Sequence, residues 1–168
     1  MIKNFIDINN FSKKQLDQII LLAKKIKKNP KKYSLSCKHK TLGLLFEKQS
    51  LRTRLSFNVG MQKLGGSVLE LQSKDIGFDN KREKDEDVLK VLSQYIDCLM
   101  IRNNNHKQIV SLSKENILPI INGLTEYSHP CQILGDFLTM QEKLKTYNNV
   151  NIAWIGDYNN VLRSLIHL

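Results

Sequence analysis

No apolar run in these 168 residues is long enough to cross a membrane: the longest, "IILLA" at Ile19–Ala23, falls far short of the ~20 residues that a bilayer span needs. The opening "MIKNFIDINNF" has no apolar core of the kind a secretory leader carries, so the expected setting is the cytoplasm, away from any membrane. Cysteine is scarce as well. Cys37, Cys98 and Cys131 are odd in number, widely spaced and in no Cys-x-x-Cys pair, which argues against a disulfide framework and against a zinc site. They read as reduced thiols.

Acidic residues are in the minority, with 16 Asp and Glu against 26 Lys and Arg, for a net charge of +10. Such an excess invites a nucleic-acid reading, because clustered cations gain affinity by releasing counterions from phosphates. The distribution argues otherwise. Much of the excess sits in "KKQLDQIILLAKKIKKNPKK", where Leu16, Ile19, Ile20, Ala23 and Ile26 form one apolar stripe and the lysines take the rest of a helix. That pattern is a solvated face, and no nucleic-acid partner is expected.

With 41% hydrophobic and 25% charged residues, the chain is long enough to bury roughly two thirds of its unfolded surface in a globular domain. Two periods alternate along it. Short apolar runs predict strands at Thr41–Glu47, Ser67–Leu71, Cys98–Arg102, Leu118–Asn122 and Asn151–Asp157. Helical spacing predicts helices at Ser12–Lys28, with a Ser12/Gln15 capping box, at Thr53–Leu64, ending at Gly65-Gly66, and at Asp85–Tyr95, His106–Lys114 and Pro130–Leu144. Strands separated by helices predict an α/β fold, a mostly parallel sheet with helices on both faces. Ligands of such sheets bind beyond the carboxyl ends of the strands.

The polar clusters fall at those ends. After "LGLLFE", Lys48–Thr53 is the expected strand-to-helix loop, where free backbone N–H groups and the positive end of a helix dipole make an anion site. Ser50 and Thr53 add hydroxyls, and Arg52 offers a planar fork for two phosphate oxygens; the plainer alternative is an Arg paired with Glu47. Arg102 closes the next strand at the same edge. In "NGLTEYSHPCQ", Asn122-Gly123 make a turn and His129-Pro130 open a helix, with His129 and Gln132 three apart on one face. A His can donate to a carbonyl oxygen and a Gln can accept from an amide, although each alone reads as capping or packing.

Five segments, "FEKQSLRTRLSF", "REKDED", "CLMIR", "NGLTEYSHPCQILGDFLTMQEKL" and "IGDYNNVLRSL", resemble those of the ornithine carbamoyltransferases, in order and at similar spacing. These enzymes belong to the aspartate/ornithine carbamoyltransferase family. The resemblance implies that Ser50, Leu51 (by its backbone), Arg52 and Thr53 bind the phosphate of carbamoyl phosphate. It further implies that Arg102 bridges phosphate and carbonyl, that His129 polarises the carbonyl and that Gln132 holds the amide, with Arg52, Arg102 and His129 catalytic. No cofactor or metal is implied. Leu51 stands where the family usually has Thr, removing one hydroxyl donor. The loop "SKDIGFDNKREKDED" resembles one that reaches a neighbouring subunit's site in a homotrimer, through Lys81 or, preferably, Arg82; a solvated charge run is the plain alternative.

"NGLT" and "GDYNNV" resemble the ornithine branch rather than the aspartate branch, which implies that Leu124, through its backbone, and Asn160 contact L-ornithine. The implied product is L-citrulline, as in arginine biosynthesis or a urea-cycle step. The family continues for roughly another domain. The expectation is therefore a fragment: a carbamoyl-phosphate-binding domain over 1–147 and, over 148–168, the first strand and partial helix of a truncated second α/β domain, inactive alone. Two rivals remain open: transfer to another amine, such as putrescine, an acylated ornithine or aspartate, and a basic module that binds nucleic acid or a protein partner.

Overall fold

The computed structural model describes residues 4–72, 76, 83–144 and 150–168. Four strands, β1 (Thr41–Phe46), β2 (Ser67–Gln72), β3 (Cys98–Arg102) and β4 (Ile120–Leu124), form one sheet in the order β2-β1-β3-β4. Every pairing is parallel, as the alternation of strands and helices predicts. The helices are α1 (Lys13–Lys28), α2 (Leu51–Lys63), α3 (Asp85–Leu92), α4 (His106–Lys114), α5 (Pro130–Leu144) and α6 (Asn160–His167). None of the described helices is long and apolar enough to cross a membrane.

Alternate side chains of each strand point to opposite faces, and both faces are apolar here. Leu45, Leu99, Ile101 and Ile120 pack against Val88 and Leu89 of α3 and Ile109 and Leu112 of α4. Leu42, Leu44 and Met100 pack on the other face with Phe57 and Met61 of α2. A third cluster joins Leu16 and Ile20 of α1 to Ile133 and Leu134 of α5 and to Val161 and Leu165 of α6. The capping box of α1 forms as expected. Its stripe is narrower, since Ile19 lies exposed at the stripe's edge.

Several boundaries depart from the pattern. α2 begins at Leu51 rather than Thr53, because Ser50 takes the cap position: its Oγ accepts the Thr53 N–H at 3.4 Å. α3 ends at Leu92, short of Tyr95. β4 starts two residues late, after Pro119, which has no N–H for the ladder. Between β3 and β4 the register slips, Ile101 facing Asn122 and Arg102 facing Leu124. A Cβ on the skipped Gly123 would meet Met100 Sδ at 2.3 Å and Ile101 O at 3.2 Å. The remaining edge of β4 is covered by the amino-terminal segment: Phe5 donates to Ile120 O at 2.7 Å and accepts from Asn122 N at 2.8 Å. This addition to the sheet has no counterpart in the sequence reading.

The predicted strand at 151–157 does not form. Its apolar run has no adjacent strand among the described residues, and Ile155 is 97% exposed. A strand without a ladder leaves its backbone groups to water and gains nothing over irregular chain.

Candidate functional site

Beyond the carboxyl ends of β1, β3 and β4 lies a cleft of about 580 Å³. β1 delivers the chain to Ser50 and the first turn of α2, β3 ends on Arg102, and β4 ends at Gly123 and Leu124 before the turn that leads to His129 and α5. Ser50, Arg52, Thr53, Arg102, Leu124, His129 and Gln132 all line this one space. Their convergence from three strand ends is what the parallel topology dictates.

Arg102 is anchored from below. Its Nη1 donates to Thr53 Oγ1 at 2.9 Å, so the Thr53 hydroxyl supports the arginine while the Thr53 N–H goes to the Ser50 cap. Burial and the neighbouring Arg52 charge push the Arg102 guanidinium below its ordinary value, though an arginine stays charged at any physiological pH. No Asp or Glu is among the described residues lining the cleft. Two guanidiniums that repel each other, with no carboxylate between them and a helix amino terminus beside them, make a place where an anion relieves the repulsion.

His129 sits on the opposite wall. Burial first, and the Arg102 charge second, push its imidazole down to about 4, so the ring is neutral at pH 7 and offers one N–H donor and one acceptor. Two buried polar atoms of the cleft residues have no protein partner, Arg102 Nε and His129 Nδ1. Buried polar groups are nearly always paired, so such orphans beside a cavity point to a ligand or water. Gln132, on the first turn of α5, donates through Nε2 to Asp136 Oδ1 at 2.8 Å.

Other sequence candidates fall elsewhere. The Leu51 side chain is 73% exposed and does not line the cleft, which leaves only its backbone within the helix start. Asn160 Nδ2 donates to Thr125 O at 2.6 Å, and its neighbour Val161 is the α6 residue that reaches the cleft. Lys81 and Arg82 lie outside the described residues. Arg54, two residues past Arg52, turns away: it pairs with Glu70 of β2 and stacks over the Phe46 ring at 4.5 Å. The two arginines of "LRTR" are thus divided between the cleft and the sheet edge.

Five cleft residues were not foreseen: Ser56, Phe57, Gly123, Cys131 and Val161. Ser56 and Phe57 follow Thr53 by three and four, the helical spacing that puts them on its face, so that signal was present in the sequence. Cys131 is not a reactive thiol; burial pushes it up to about 12. All three cysteines are free, as their spacing implied. No group of three or more His, Cys, Asp or Glu among the described residues is placed to hold a metal.

A parallel α/β sheet whose strand ends join two arginines, a helix amino terminus, a neutral histidine and a glutamine gathers donors of the kind that suit an anion. Residues 3–142 match the family described as "Aspartate/ornithine carbamoyltransferase, carbamoyl-P binding domain", and the chain belongs to it. It is 42% identical over 168 residues to the ornithine carbamoyltransferase of Methanospirillum hungatei, a match covering 99% of this chain and 55% of that one. The corresponding protein of Bacillus thuringiensis is 41% identical over 164 residues, 98% of this chain and 51% of the other. The solved ornithine carbamoyltransferase of Pyrococcus furiosus superposes with a TM-score of 0.92 at 36% identity, over 98% of this chain and 53% of that structure. The chain spans about half the length of the curated relatives it matches.

Proposed function

We propose that this chain provides the carbamoyl-phosphate site of an ornithine carbamoyltransferase. The observation that carries the reading is the carboxylate-free cleft in which Arg52, Arg102 and the start of α2 face His129 and Gln132. In this reading Ser50, the Leu51 backbone, Arg52 and Thr53 hold the phosphate. Arg102 spans phosphate and carbonyl oxygen, His129 donates to the same carbonyl oxygen, and Gln132 accepts from the carbamoyl amide.

The chemistry calls for these types. The δ-amine of ornithine attacks the carbamoyl carbon, the C–N bond forms as the C–O bond to phosphate breaks, and the proton lost by the amine leaves with the products. Negative charge builds first on the carbonyl oxygen and then on phosphate. Donors already aimed at both places stabilise that charge without reorganising. The neutral state of His129 suits it to donate without a proton changing hands, while Arg102 supplies the charge.

The second substrate is read from "NGLT" and "GDYNNV", together with the names of the relatives. Leu124 and Asn160 are assigned to the carboxylate end of ornithine, Asn160 exchanging its bond to Thr125 O for the substrate. We place the domain boundary at 147/148 and assign Arg82 to a neighbouring subunit's site in a homotrimer.

Joined ahead of the second half of the Methanospirillum hungatei relative, the chain is expected to form citrulline from carbamoyl phosphate and ornithine, and to prefer ornithine over putrescine, acetylornithine and aspartate. Preference for another of these amines replaces ornithine as substrate. No product from any of them, in a folded protein, overturns the carbamoyltransfer reading itself. Sedimentation of the same protein as a monomer at high concentration overturns the trimer.

A further inference from the structure

The His129 ring reaches the cleft with its Nδ1 buried and without a hydrogen-bond partner. What holds the residue is its backbone. The His129 N–H donates to Ser164 Oγ at 2.9 Å, and Ser164, in the middle of α6, is fully buried. Around that hydroxyl the polar groups form a chain with one direction. Asp7 Oδ1 is an acceptor and already takes the Ile8 N–H at 2.7 Å; Ser128 Oγ donates its proton to the same oxygen at 3.0 Å. Ser128 can therefore only accept from Ser164, 3.2 Å away, and Ser164 has its own proton for Ser128 or for Asn160 O at 2.9 Å. Its lone pair is left for the His129 N–H. Each of these residues, Asp7, Ser128 and Ser164, is at most 3% exposed, so water cannot replace a lost member cheaply.

We propose that Ser164 is a positioning residue for His129: its hydroxyl fixes the backbone from which the imidazole reaches into the cleft, and ties that placement to helix α6. The proposal rests on the reading of the cleft as a carbamoyl-phosphate site. α6 grips the same turn a second time through Asn160 and Thr125 O, so a shift of the helix moves the turn that carries the ring. A hydroxyl at position 164 thus links the binding of one ligand in the cleft to the position of a helix whose first turn, through Val161, forms part of its wall.

The test compares the whole chain with Ser164→Ala and, in case alanine does not fold, Ser164→Cys, which keeps the size but is a weak acceptor. Ile109→Val, a change in the buried core under α4, in a cluster separate from the one that holds α6, serves as a variant that lowers stability without touching the network. Two readouts are taken on each: the ring ¹⁵N shifts of His129 by NMR, and carbamoyl phosphate affinity by calorimetry. The expected result is displaced His129 ring signals and about tenfold weaker binding in the Ser164 variants, the scale of one hydrogen bond lost, with neither changed in Ile109→Val. Unmoved ring signals overturn the proposal, as does a moved ring with unchanged affinity. If the unsubstituted chain binds no carbamoyl phosphate while Ser164→Ala still displaces the ring, the substrate reading falls and the positioning of His129 by Ser164 stands.

Discussion

At the start of α2 the backbone is capped from within its own turn, Ser50 Oγ taking the Thr53 N–H at a long 3.4 Å on a half-buried residue. The start of α5, on the opposite wall of the cleft, is finished from outside: Pro130 has no N–H to offer, and the His129 N–H is taken at 2.9 Å by fully buried Ser164 from another helix. The first helix start is left open, with its dipole and Arg52 available to something that arrives and departs. The second is closed, and its purpose is to hold a side chain still. An anion has to be exchanged, whereas the group that polarises a carbonyl has to be in place beforehand.

Removing the open end's charge is expected to have the largest effect. Arg52→Ala should weaken carbamoyl phosphate binding by about 2–3 kcal/mol, the cost of a charge-assisted pair left unmade, measured by calorimetry. Equal affinities would remove Arg52 from the anion site.

The closed end is tested by pH. An unfolded histidine titrates near ~6.5, while folded His129 sits at about 4. Between those values the unfolded chain binds a proton that the native one refuses, so stability is fully present above ~6.5 and is lost as pH falls toward the folded value, about 2 kcal/mol of it once partial exposure is discounted. Denaturation midpoints at pH 7 and pH 4.5 should draw apart less in His129→Gln than in the unsubstituted chain. Equal separations would mean that the ring is not held neutral by its site.

A smaller effect is expected from the open end's cap. Ser50→Ala should cost about 1 kcal/mol of stability by denaturant melt, as helix caps do, and should also weaken carbamoyl phosphate binding. Loss of stability with no loss of affinity would leave Ser50 a cap alone. Arg54→Ala should do least: its pair with Glu70 is partly exposed, worth about 0.2–1 kcal/mol, and carbamoyl phosphate affinity should not move. A large loss of affinity there would show that the two arginines are not divided as the structure has them.

That division was only half legible in the sequence. "LRTR" announces two cations at a helix start, and the choice of Arg52 for the anion follows from its place in the first turn. Nothing local says that Arg54 meets Glu70 on β2 or lies over Phe46, since that depends on the pairing of β1 with β2. The apolar runs of β1 and β3 were readable because strands buried on both faces carry little else, while β2, an edge strand with Leu69 exposed, kept enough apolar residues to read as one. β4 was misplaced because Asn122 looks like the end of a strand; in the structure it is fully buried, its Nδ2 donating to Ile6 O at 2.9 Å. At 151–157 the pattern of a strand was present, and no partner for it lies among the described residues. The contact of Ser164 with His129 left no local signal at all, because a serine in a helix ordinarily faces water.

The sheet order has a consequence for how the molecule is made. β1 lies between β2 and β3, and its ladder to β3 pairs Leu42 with Cys98, so no strand of this sheet can be completed by a hairpin. At a synthesis rate of about 5–20 residues per second, β1 waits several seconds on the ribosome for its second neighbour. The cleft waits longer, because one wall follows β1 directly while the other is carried on the turn after β4 and is clasped by α6. The cleft is therefore finished only after the whole sheet has been made, and a nascent chain halted before α6 would carry the arginines of the cleft without a fixed histidine to face them.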